Sequence, residues 1–218
     1  MKNYCITCIL FFITFLSYSQ TFDQKIEDLI NENLDETIEL RHWFHQNAEL
    51  SNREFKTAAR IAEELKKIGY EPMTGIAKTG VVAILNPGKP GPVVGLRADI
   101  DALPVKERAD IPWASKMKGV YNGEEVPVMH ACGHDMHTAI LLAAAKILYE
   151  IKDEIPGQVK FIFQPAEEGA PPGEEGGAEL MVKEGVLKNP DVDAIFGLHV
   201  WSGLYAGQVY LRLSLIHI

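Results

Sequence analysis

Short apolar runs set between longer segments of helical period restrict this chain to a layered α/β architecture. Gly80 to Leu85, Val93 to Leu96, Val159 to Phe163 and Ala194 to Val200 read as short apolar strands, the first two separated by the turn-forming Asn86 to Gly91. Between them the period changes. From Phe22 to Gln46 the residues Ile26, Leu29, Ile30, Leu34, Ile38 and Leu40 follow helical spacing, and a second amphipathic helix runs from Arg53 to Ile68, stopping at Gly69. Thr138 to Ile151, rich in Ala, Leu and Ile, reads as a buried helix, and Ala178 to Lys183 as a short one. Alternation of this kind predicts a sheet flanked by helices.

In open sheets of this type ligands gather where strands end. Val93 to Ala98 runs into Asp99, Val159 to Phe163 runs towards Glu167-Glu168, and Ala194 to Leu198 runs into His199. Three strands thus each deliver a chemically capable residue near the same end. The long helix opens beside the densest group of such residues, His130-Ala131-Cys132-Gly133-His134-Asp135-Met136-His137, with three imidazoles, a thiol and a carboxylate. Neutral imidazole and thiolate suit zinc and its first-row neighbours.

Within that group Cys132 and His134 are the leading metal ligands. His137 lies three residues further, on the same face if the helix has begun, and is a ligand, an outer partner or a substrate contact. His130 fits a structural or outer role as well as it fits ligation, and Asp135 reads as a helix cap. In Gln164 to Gly169, adjacent carboxylates on extended backbone point to opposite sides. One of Glu167 and Glu168 would then bind metal while the other takes the proton of an attacking water. Glu174-Glu175 reads as a solvated acidic turn, and His42 and His45 as surface or packing residues. The sequence has no phosphate-binding glycine loop and no serine in a nucleophile elbow.

Near the N-terminus, Lys2 is followed by an apolar run from Cys5 to Leu16 and small residues up to Ser19, which predicts a signal peptide over residues 1–19. The mature chain would be secreted or periplasmic, with no stable membrane association, and Cys132 would be its one thiol. A formal charge of -9 argues against nucleic acid or an anionic membrane as partner. With 47% hydrophobic and 23% charged residues, the chain has the composition of an ordinary globular domain.

Gly95-Leu96-Arg97-Ala98-Asp99-Ile100-Asp101-Ala102-Leu103-Pro104, Met129 to His137, Gln164 to Gly169 and Gly197-Leu198-His199 occur in the order and spacing of the M20 metallopeptidases. The match resembles most the amidohydrolase branch, which includes N-acyl-amino-acid, hippurate and indoleacetyl-amino-acid hydrolases, and it extends from about Phe22 to about Arg212. The resemblance implies a binuclear site of divalent transition metals (zinc, manganese, nickel or cobalt) held by Cys132, His134, Glu168 and His199. It further implies Glu167 as general base and Asp99 as a residue that orients or tunes the centre. The implied substrate is a small N-acyl amino acid or short peptide. The implied catalytic domain occupies residues 20–212, with residues 213–218 unlike the family's continuation. Family members resembling this chain continue into an inserted lid or dimerisation domain and then a returning segment with a further histidine ligand. The expectation is therefore a C-terminally truncated chain, with a homodimer only in the full-length protein.

Overall fold

The computed structural model describes the backbone of residues 3–211 and the side chains of residues 21–211. The expected leader side chains and the expected tail from residue 213 lie outside these. Helix α1 (Asn3–Gln46) is followed by α2 (Phe55–Ile68), β1 (Met73–Ile76), β2 (Gly80–Leu85) and β3 (Val93–Asp99). A hairpin of β4 (Met117–Tyr121) and β5 (Glu124–Val128) precedes α3 (His134–Glu150), β6 (Gln158–Gln164), α4 (Gly177–Lys183) and β7 (Ala194–Gly197). The main sheet runs β1-β2-β6-β3-β7, antiparallel across its first two pairings and parallel across its last two.

The predicted α/β class holds, because both faces of that sheet must be covered. Along β6 the side chains alternate with period two. Val159, Phe161 and Phe163 enter a core with Phe44 of α1, Ile61 and Leu65 of α2 and Leu142 of α3. Ile162 faces the other way, onto Val82, Met181 and Val186. Phe161 and Phe163 are fully buried, each worth about 1.5–3 kcal/mol of transfer from water. Lys160, on the second face, is 2% exposed, and its ammonium donates to the carbonyls of Val186, Lys188 and Pro190 at 3.0, 2.8 and 3.0 Å. All three of its protons are used, which makes its burial tolerable and ties the segment before β7 to the sheet.

Several details differ from the sequence reading. Helix α1 begins well before Phe22, consistent with the lack of Pro or Gly between Asn3 and Gln46. Its inward face takes only part of the apolar stripe: Leu40 is buried together with Asn33 and Phe44, whereas Ile30, Leu34 and Ile38 are 49%, 49% and 40% exposed. Asn33 can face inward because its Nδ2 donates to Leu29 O at 2.7 Å, while Thr37 Oγ1 donates to Asn33 O at 2.7 Å. Strand β1 and the β4–β5 hairpin have no counterpart in the apolar pattern. Helix α3 starts at His134, four residues before the apolar run, while β7 ends at Gly197 rather than Val200. Strand β7 sits at the sheet edge with Ile195 and Phe196 about half exposed.

Helix α2 stops where expected, at Gly69, whose φ of +118° suits a residue without Cβ. Glu174 is not a free solvated carboxylate. It accepts from Arg53 Nη2 at 2.5 Å, Lys78 Nζ at 2.5 Å and Asn52 Nδ2 at 3.1 Å, which hold its pKa well below the usual range. Among the described residues no helix is long and apolar enough to cross a membrane.

Candidate metal centre

Parallel pairing of β6, β3 and β7 brings their C-terminal ends to one rim: Asp99 lies opposite Gln164, and Arg97 opposite Gly197. Helix α3 delivers its N-terminus to the same rim, where Thr138 Oγ1 donates to Asp99 O at 3.1 Å. The elements therefore gather residues far apart in sequence. Asp99, His134, His137 and His199 each offer a ligand atom, and these lie within 4.8 Å of one another. Cys132, His134 and Glu168 form a second such group. His134 belongs to both.

Two of the imidazoles, those of His134 and His199, are aimed by their second nitrogen, the arrangement that frees a lone pair for a cation. His134 is fully buried, and its Nδ1 donates to Asp101 O at 2.8 Å with Asp101 Oδ1 at 3.3 Å. Its Nε2 has no hydrogen-bond partner and faces Glu167 Oε2 at 3.7 Å, Glu168 Oε1 at 3.9 Å and Asp99 Oδ2 at 4.0 Å. His199 Nδ1 donates to Val200 O at 2.6 Å, leaving Nε2 3.5 Å from Cys132 Sγ. His137 Nε2 accepts the Val200 N–H at 3.0 Å, and its Nδ1 is buried and unpartnered.

The electrostatics favour a divalent cation. Burial pushes Asp99 up to about 6, against the pull of the Arg97 guanidinium that pairs with it. Burial, with Glu168 nearby, pushes the Cys132 thiol up to about 11. Burial and the neighbouring imidazoles of His199 and His134 push His137 down to about 3, so its ring is neutral. Orphaned nitrogens and an orphaned Asp99 oxygen crowded with acidic groups form a donor set that a dication would satisfy. The sequence-predicted residues Cys132, His134, Glu168, His199, Glu167 and Asp99 are all brought to this corner. Glu167 is the most solvent-open of its carboxylates, with a side chain 37% exposed.

One sequence reading needs correction here, and another is narrowed. Asp135 does not cap α3: Gly133 occupies that position, and the carboxylate points into the protein, 2% exposed. Of the two readings of His45, surface or packing, the structure takes the second. It is 7% exposed, with Nδ1 at 3.0 Å from Asp135 Oδ2 and Nε2 at 2.7 Å from Glu107 Oε2; Arg41 Nε also donates to Asp135 at 3.3 Å. The hydrogen bond to Asp135, then that to Glu107, raise the pKa of His45 against its burial. A raised folded-state pKa gives stability that is complete below the ordinary value of 6.5 and lost as pH rises through the folded value. Thermal unfolding midpoints are therefore expected to fall as pH rises above 6.5, and His45→Gln to flatten that fall. An unchanged slope in the variant would refute this assignment.

Sequence reasoning also passed over Asp101, which orients His134. Its signal was there, two residues after Asp99, where extended backbone returns a side chain to the same side. The turn at Pro165 to Glu168 is a further departure. Ala166 has φ +49°, so the backbone is kinked and not extended. Glu167 and Glu168 consequently converge on His134 Nε2 instead of pointing apart.

Likeness to known proteins agrees with this geometry. Residues 95–214 match the model of peptidase family M20/M25/M40. Over 190 residues the chain is 43% identical to thermostable carboxypeptidase 2 of Saccharolobus solfataricus, covering 87% of this chain and 45% of that protein. It is 42% identical over 186 residues to the N-acyl-L-amino acid amidohydrolase of Geobacillus stearothermophilus, covering 85% of this chain and 46% of that one. The crystal structure of Bacillus subtilis YXEP, described as a dinuclear metal binding peptidase from the M20 family, superimposes with a TM-score of 0.66 at 40% identity, over 76% of this chain and 42% of that one. The chain thus spans less than half the length of these relatives. With the motif order, the sheet and the cluster at its rim in agreement with the matched model, the chain belongs to peptidase family M20/M25/M40.

Proposed function

We propose that this chain carries the metal centre and proton-transfer residue of a hydrolase that cleaves the amide bond of N-acyl amino acids. The observation that carries the reading is His134, shared by two ligand groups, with Glu167 facing it from the solvent side at 3.7 Å. Cys132, His134, Glu168 and His199 would hold divalent transition metal, two ions in the complete centre, with Asp99 and His137 beside them. Zinc, manganese, nickel and cobalt all accept such N, O and S donors. A cation held there supplies Lewis acidity, polarising the amide carbonyl and acidifying water.

Glu167 is placed to take the proton of the attacking water. As the water oxygen bonds to the carbonyl carbon, the C–N bond breaks and Glu167 delivers the proton to the departing amine. Asp101 keeps His134 in the tautomer whose Nε2 lone pair is free. Arg97 holds Asp99 ionised at the edge of the cluster.

Cleavage of peptides is the second reading, favoured by likeness to a protein named as a carboxypeptidase at 43% identity. The test is hydrolysis of N-acyl amino acids and of dipeptides, with metal content measured before and after chelation. Chelator-sensitive release of the acyl group supports the first reading, and preference for dipeptides the second. Bound metal without hydrolysis of either substrate would leave a metal-binding chain without turnover. Export is proposed separately, on the apolar run after Lys2, and is tested by fractionating cells that express the chain.

A further inference from the structure

The convergence of Glu167 and Glu168 depends on a backbone conformation that their own residues do not favour. A residue with a Cβ enters the left-handed region reluctantly, and Ala166 does so at φ +49°. Glu54 lies beneath this kink, before the first turn of α2 and more than one hundred residues away in sequence. Its side chain is fully buried, yet both oxygens are used. One accepts the Ala166 N–H at 2.9 Å, and the other accepts the Thr79 hydroxyl at 2.6 Å.

The surroundings leave the turn little freedom. A Cβ on Gly177 would stand 2.9 Å from Ala166 O, and one on Gly80 would stand 3.1 Å from Pro165 Cδ. Two residues on, the Glu168 N–H donates to Asp101 Oδ2 at 3.0 Å. Two buried carboxylates, Glu54 and Asp101, therefore hold the two ends of the segment that carries the proposed base and ligand. Asp101 also touches His134, whereas the hydrogen bonds of Glu54 go to the turn and to Thr79.

We propose that Glu54 is a positioning residue that fixes the kink at Ala166 and so turns both Glu167 and Glu168 towards His134. The inference rests on the metal-centre reading. Without that acceptor the buried Ala166 N–H would lack a partner, and relaxation towards extended backbone would send the adjacent carboxylates to opposite sides. Burial pushes the pKa of Glu54 up to about 7, so a neutral side chain is accommodated as well as a charged one. A glutamine can thus replace it, its oxygen accepting from Ala166 and its amide donating to Thr79 Oγ1.

The test is cobalt(II) titration of the full chain, with far-ultraviolet circular dichroism recorded on each variant. Glu54→Ala should weaken cobalt affinity by roughly 10–100-fold with the helical signal unchanged, as loss of a supporting residue does. Glu54→Gln should bind close to wild type. Ala166→Gly, which permits positive φ without a clamp, should restore most of the lost affinity when combined with Glu54→Ala. A role in stability alone would not be relieved by that glycine. If Glu54→Ala does not fold, Glu54→Asp takes its place, too short to reach Ala166 but still acidic, with the same loss and the same rescue expected. Wild-type affinity in the shortened variant, or no rescue by Ala166→Gly, overturns the proposal while leaving the metal centre standing. A wild-type chain that binds no cobalt overturns the metal-centre reading and this inference with it.

Discussion

His134→Ala is expected to abolish metal binding, the largest effect of any single substitution in this chain. The reason is its shared position: Asp99, His137 and His199 form one ligand group with it, and Cys132 and Glu168 the other. Removing it takes a donor from both groups at once. It also leaves Asp101 without the Nδ1–H held at 2.8 Å by its carbonyl, and opens a void where the ring is fully buried. Some loss of stability must accompany this, on the order of 1–3 kcal/mol for the unpaired buried polar groups. Metal content after dialysis, read with circular dichroism, separates the two effects. One metal ion retained per folded chain would show that Asp99, His137 and His199 suffice alone, against the shared-ligand reading.

Glu167→Gln should behave in the opposite way. Metal content is expected to match wild type, because Cys132, His134, Glu168 and His199 are untouched, while turnover falls by roughly 10²–10⁴-fold, the usual contribution of a general base. Glutamine keeps the volume and the hydrogen-bonding reach of the side chain but cannot accept the water proton. Single-turnover rates on an N-acyl amino acid, beside metal analysis of the same sample, read both quantities. Near wild-type turnover would remove Glu167 from the reaction. Lost metal would instead make it a ligand, which its place 3.7 Å from His134 Nε2 also permits by distance.

Both predictions start from motifs visible in the sequence. The strands that carry them are legible because buried parallel strands are largely apolar: Val93 to Leu96 is an unbroken run, and Val159 to Phe163 is interrupted only by Lys160. The hairpin Met117–Val128 does not, since its residues are mostly exposed and its pattern mixes charge with Val, Tyr and Pro. Helix α1 shows the reverse failure. Its apolar stripe at Ile30, Leu34 and Ile38 is exposed, while Asn33 is buried because its own helix satisfies its polar group.

The amino-acid sequence by itself determined the alternation that makes an α/β sheet, the strand ends that gather Asp99, Glu167, Glu168 and His199, and the donor types that suit a transition metal. These are properties of residue type and spacing, carried along the chain. Tertiary structure alone decided which way the donors point. The Ala166 kink turns both glutamates inward over Glu54, Asp135 is drawn away from the centre by His45 and Arg41, and Asp101 frees the Nε2 of His134. Orientation comes from partners dozens of residues distant, and a buried polar group takes its direction from whatever donor or acceptor the fold sets beside it.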